Sequence, residues 1–185
     1  MKKHLLRISL TALVISTEAT QACIMASPLN IDDVSFADVV VVGTVENYEI
    51  VRDITFRERM LSNPELSDSL RELYSDPNQS LLSDYARFEV LVHETIVGDV
   101  SQRFMATWDN STFAEPALLS NEQFLMAFRR PESPMPPLQG PSATILPAPE
   151  PQSLTVLQAP CAPPFLFRNS SETAKSVRET IRLER

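Results

Sequence analysis

The chain has 185 residues, with 24 Asp and Glu against 16 Lys and Arg, and a formal net charge of −8 at pH 7. A surface that acidic repels phosphate backbones and anionic lipid, which excludes nucleic acid and membrane surfaces as expected partners. The length suits one domain with one real core.

Lys2, Lys3 and Arg7 precede the apolar run Ile8 to Ile15, and small residues follow around Ala22. That order predicts a secretory signal peptide over 1–22, a mature domain over 23–185, and a periplasmic or secreted protein. No segment reaches the roughly 20 apolar residues of a transmembrane helix, so stable membrane insertion is not expected. A lipoprotein signal would place an aliphatic residue three before its cysteine, where Thr20 stands, so lipidation is not expected either. Cleavage after Ala22 makes Cys23 the first residue, whereas cleavage after Ala26 discards it.

Cys23 and Cys161 are the two cysteines of the chain. An even count in an oxidising compartment predicts a disulfide between them, worth about 5 kcal/mol in the chain-entropy model. The alternative is two unpaired thiols, chiefly through the cut after Ala26.

The β-branched run Ala37 to Val45 predicts a first, buried strand, bulged or sharply coiled at Gly43, with Tyr48, Ile50 and Val51 continuing the pattern. An insertion over 52–84 follows. In it Asn63 is the expected cap of a helix at about 64–75, with Pro64 first and Leu66, Leu70 and Leu73 along one stripe.

Tyr85 to Val97 alternates with a period of two and predicts a half-buried second strand, with Ala86, Phe88, Val90, Val92 and Ile96 on one face. Gly98-Asp99 turns the chain into a third strand, Val100 to Trp108. Glu122 to Arg129 is the fourth and Leu154 to Leu157 the fifth. Between the last two, residues 131–151 contain eight prolines, which cannot donate to a ladder, so this segment is expected as an extended loop. A helix at about 170–183 closes the chain, with Asn169 as cap and Ala174, Val177 and Ile181 at helical spacing.

Chemistry is sparse. With His4 in the leader, His93 stands alone, so histidine-cluster metal sites and two-histidine relays cannot be built, and no metal or cofactor is expected. There is no G-x-S-x-G and no phosphate-cradling glycine loop, the glycines being Gly43, Gly98 and Gly140. Carboxylates near strands, Asp32, Asp33, Glu46, Glu49, Glu89 and Glu94, leave a paired acid and base open, although an acidic surface accounts for them more simply. Asp109-Asn110-Ser111 is expected to be a turn rather than a calcium loop. Trp108 is expected in the core; together with Pro134, Pro136 and Pro137 it also forms the candidate binding surface, Pro134 to Pro137 having bare polyproline-ligand spacing.

These elements describe a mainly β domain, a small five-stranded Greek-key barrel of the oligonucleotide/oligosaccharide-binding (OB) class. The runs Ala37 to Val45, Arg87-Phe88-Glu89-Val90, Ile96 to Val100 and Gln123 to Phe128 resemble bacterial proteins of the netrin-like, tissue-inhibitor-of-metalloproteinases-like (TIMP-like) fold, over residues 23 to about 161. In the animal inhibitors of that family, the amine and carbonyl of an N-terminal cysteine in a C-x-C motif chelate the zinc of a target protease. Cys23 maps onto that first cysteine, and Met25 stands in place of the second.

The expected function is an exported, non-enzymatic module that binds a protein partner. Two alternatives stand beside it. One is metalloprotease inhibition through the metal-chelating N-terminus of Cys23, and the other is a hydrolase or carbohydrate-active protein using surface carboxylates.

Overall fold

The computed structural model describes residues 26–109, 116, 118–138 and 147–183. The predicted leader, Cys23, Met25, Asn110, Ser111 and Gly140 lie outside them.

The described residues are mainly β. A six-stranded sheet is built from β1 (Val39–Val51), β2 (Tyr85–Val97), β3 (Arg103–Asp109), β4 (Gln123–Arg129), β5 (Leu154–Val156) and β6 (Leu166–Arg168). Five strands close a ring in the order β1-β2-β3-β5-β4 and back to β1, and β6 joins β4 beside β5. Every pairing is antiparallel except that of β3 with β5. The sequence predicts five strands; the sixth, Leu166–Arg168, follows Pro163-Pro164 and is too short to show a period.

The valine run of β1 is buried on both faces, and the two faces serve different cores. Val39, Val41 and Val45 point into the ring with Phe88, Phe128, Met126 and Trp108. Val40 and Val42 point outward, where Leu125 and Ala127 of β4 join Val34, Phe165 and the closing helix. A strand with apolar neighbours on both sides loses its alternation, which is why the segment reads as an unbroken hydrophobic run. Within the ring, Phe104 meets Phe128 edge to face at 5.2 Å between centroids.

The β1–β2 register is irregular at three places along β1, the first between Val40 and Val41. The β1–β2 register shifts between Val42 and Gly43, and a Cβ on Gly43 would lie 2.6 Å from the carbonyl oxygen of Leu91. The register shift is the irregularity expected at Gly43, and the glycine is required there by close backbone approach. The third shift falls between Glu46 and Glu49, where Asn47 adopts φ 52° and its amide reaches Glu89 at 3.2 Å. Asparagine is among the residues that tolerate this left-handed conformation.

The helices are α1 (Ile54–Leu61), α2 (Asp68–Ser75) and α3 (Glu172–Leu183). The single inserted helix expected at 64–75 is a pair. The Asn63 side chain accepts from the backbone N–H of Glu65, which makes only a local turn around Pro64; the helix begins after Ser67, whose hydroxyl accepts from Leu70 N–H. Of the expected leucine stripe, Leu66 is buried ahead of the helix and Leu70 is exposed. α3 is capped by the Ser171 hydroxyl, which accepts from Ala174 N–H, and not by Asn169, whose side-chain oxygen accepts from Arg178. Ala174, Val177 and Ile181 of α3 pack on the outer face of β1 and β4 as their spacing predicts. Ile96 packs there too, on the opposite side from Ala86, Phe88 and Val90. The alternation of β2 breaks at the exposed run His93 to Thr95, which lies opposite the shift between Val42 and Gly43.

Candidate binding surface at the proline-rich loop

β4 ends on Arg129, which is buried at 6% exposure. Its Nη1 donates to the carbonyls of Arg130, Pro131 and Ser133 at 3.1–3.3 Å. Proline has no N–H, so the carbonyls of a proline-rich entry need an outside donor, and the guanidinium supplies one. Burial lowers the Arg129 pKa from its ordinary value, while the carboxylates of Asp109 and Asp38 pull the other way.

The exit of the loop is held by Glu150. Its Oε1 accepts from Tyr85 Oη at 2.9 Å and from Arg87 Nε at 2.6 Å, and its Oε2 from Ser153 Oγ at 2.9 Å. Burial acts to raise the Glu150 pKa, but these hydrogen bonds together with the charge of Arg87 outweigh it and hold the carboxyl below its ordinary value. Tyr85 is pushed up, first by burial and then by its bond to Glu150. The Arg87 pKa is raised, above all by the same carboxylate.

Between the two anchors a cleft of about 380 Å³ opens at one end of the ring. Val39, Val100 and Leu154 come from the strand ends and the turn, Pro131 and Glu132 from the loop entry, and Pro151 from its exit. Arg130, whose side chain is 57% exposed and lies 3.7 Å from Asp38, and Asp99 add charge at the rim. The cleft thus has Val39, Val100 and Leu154 at its base, proline walls, and charges of both signs.

The residues expected from sequence are placed differently. Pro134 and Pro137 are exposed, Pro136 is buried, and none of the three borders the cleft. Trp108 is 6% exposed and its Nε1 donates to Gln158 Oε1 at 3.1 Å, so it belongs to the core and offers no binding face. The proline segment is irregular over its described parts, 131–138 and 147–151. Cys161 is fully buried and is not a free thiol, and its carbonyl accepts from Ser27 N–H at 2.8 Å. His93 is exposed, with Nε2 at 3.4 Å from Thr44 Oγ1.

Four of the six carboxylates considered for acid–base work are engaged with arginines. Glu46 and Glu89 meet Arg103, Glu49 meets Arg87, and Glu94 meets Arg178 at 2.8 Å. The Arg178 hydrogen bonds lower the Glu94 pKa. Asp33 is buried and accepts from Asn30 Nδ2, and burial raises its pKa. Among the described residues no group of three or more His, Cys, Asp or Glu is placed to hold a metal ion, and no helix is long and apolar enough to cross a membrane. Arg129, Tyr85, Arg87 and Glu150, which set the two ends of the loop, carry no spacing in the sequence that marks them.

Comparison of the chain with protein-family models, with curated proteins and with solved structures gives no match.

Proposed function

We infer that the chain is an exported, non-enzymatic binding module that takes an extended segment of a protein partner in the cleft between the two ends of its proline-rich loop. The observation that carries this reading is the double anchoring: Arg129 fixes the entry and Glu150 the exit, so the cleft walls are pre-formed. A pre-formed site loses less ordering entropy on binding than a mobile one. The strand order β1-β2-β3-β5-β4 with its one parallel pairing supports the OB-like barrel and, with it, the netrin-like, TIMP-like resemblance. The hydrogen bond from Ser27 to Cys161 supports a Cys23–Cys161 bridge, since the four steps along the chain from 23 to 27 span at most about 14 Å.

The test is affinity capture from periplasmic extract with the wild-type protein and with Arg130→Glu/Glu132→Lys, a change confined to exposed side chains at the cleft. A partner recovered by the wild type and reduced about tenfold by the variant at unchanged Tm is the expected result, one lost charged contact being worth about 1.4 kcal/mol. Equal recovery by both proteins overturns the site, and no reproducible partner overturns the reading.

A further inference from the structure

The insertion between β1 and β2 carries a second concavity, far from the proline-rich loop in sequence and built differently. α1, α2 and the Asp76-Pro77 turn enclose a groove of about 350 Å³, a size usual for small-molecule sites. Ile54, Leu61, Tyr74 and Pro77 give it an apolar wall, and Ile54 is 56% exposed. Arg52 and Arg57 line it as well.

The Arg57 side chain is 8% exposed. Its Nη2 donates to Asp84 Oδ2 and to the carbonyl of Gln79, but its Nη1 is buried without any hydrogen-bond partner. An unmet guanidinium N–H below the surface is costly enough that an acceptor is expected there. The neighbouring acceptor is already in full use: Asp84 takes Arg52, Arg57 and Leu81 N–H on Oδ2 and Asp53 N–H on Oδ1. Two guanidinium groups thus share one carboxylate. Glu58 and Asp76 also line the groove, and among the described residues neither forms an ion pair with either arginine. They bring the carboxylates around the groove to three against two guanidinium groups, which disfavours a multiply charged anion and requires a single one to meet the arginines directly.

We propose that this groove binds a monocarboxylate with an apolar body. The carboxylate takes Arg57 Nη1 and the part-exposed Arg52, and the body lies against Ile54, Leu61 and Tyr74. Because Nη1 has almost no exposed surface, the lining of the groove must part for the carboxylate to reach it. The same chemistry comes from a free alkanoate or from the C-terminal residue of an apolar peptide.

The full chain is titrated, following Tyr74 by NMR, with decanoate and decanol, and with a leucine-terminated hexapeptide as free acid and as amide. At least one acid is expected to bind, with its uncharged counterpart about tenfold weaker or more. Ile54→Ser and Arg52→Gln each weaken that acid about tenfold, and Arg57→Lys, which keeps the charge and loses the fork, does the same. Ile54→Ser is on the surface, so it remains informative if an arginine variant does not fold. Whichever acid binds identifies the source. Absence of binding by both acids overturns the proposal, as does equal binding of the neutral forms or unchanged affinity in the Ile54→Ser protein. Partner capture at the proline-rich loop does not depend on any of these results.

Discussion

Asp84 closes the helical insertion on itself at the point where the chain re-enters the ring. It is wholly inaccessible to solvent, one residue before β2, and it gathers two guanidinium groups and two backbone N–H groups from α1 and the preceding loop. Burial acts to raise its pKa, but the hydrogen bonds from Leu81, Asp53 and Arg52 and the charge of Arg57 hold the carboxyl below its ordinary value. Asp84→Asn leaves two arginines with no counter-charge, and removal of one partner from a buried pair costs about 3 kcal/mol or more. The sign of the pH dependence follows from the direction of the shift. A carboxyl depressed in the folded state contributes fully above the ordinary carboxylate range, and the contribution fades as pH falls through the folded value. Denaturant unfolding from pH 7 to pH 3 should therefore show the wild type losing more stability on acidification than Asp84→Asn. Parallel loss in the two proteins would remove Asp84 as the source.

At the scale of elements, α3 earns its place by packing, and its two ends test that unequally. Ile181 is 6% exposed against the outer face of β1 and β4, whereas Leu183, two residues on, is 88% exposed. Ile181→Ala should cost about 2 kcal/mol by chemical denaturation, the low end for such a truncation at a helix end. Leu183→Ala should cost under about 0.5 kcal/mol, as surface changes usually do. The elements that could be read from sequence share this property of a repeating burial pattern. β2 runs over Tyr85–Val97 because one face of its first half is interior, and α3 shows its stripe because one side docks. α1 has no such stripe. ITFRERML buries only Arg57, and it is helical through its Asp53 cap and the Arg57 link to Asp84, neither of which is a periodic signal. The candidate cleft was hidden for a related reason. Its proline walls are visible as composition, but Arg129 and Glu150 gain their roles from strand register and from a contact 63 residues apart, between Arg87 and Glu150.

Across the whole molecule, the closing loop after β5 is the place where chain ends and ring come together. Cys161 sits there fully buried with φ 66°, a left-handed conformation that a non-glycine residue keeps only when its surroundings hold it. The hydrogen bond from Ser27 N–H to its carbonyl brings the start of the described chain to the same point. A bridge from Cys161 to Cys23 would enclose all five ring strands in one covalent loop, and constraint of the unfolded chain grows with the length of the loop closed. Cys161→Ala is then expected to lower stability by about 2–4 kcal/mol. Truncation of a buried side chain would do some of this without any bridge, so the decisive comparison uses reductant. Thermal unfolding of the wild type with and without a reducing agent should differ by most of the Cys161→Ala effect, while the variant should not respond. A wild type indifferent to reductant would mean that the buried cysteine stabilises by packing alone. The same comparison bears on compartment, because a stability that depends on the bridge is available only where the surroundings are oxidising.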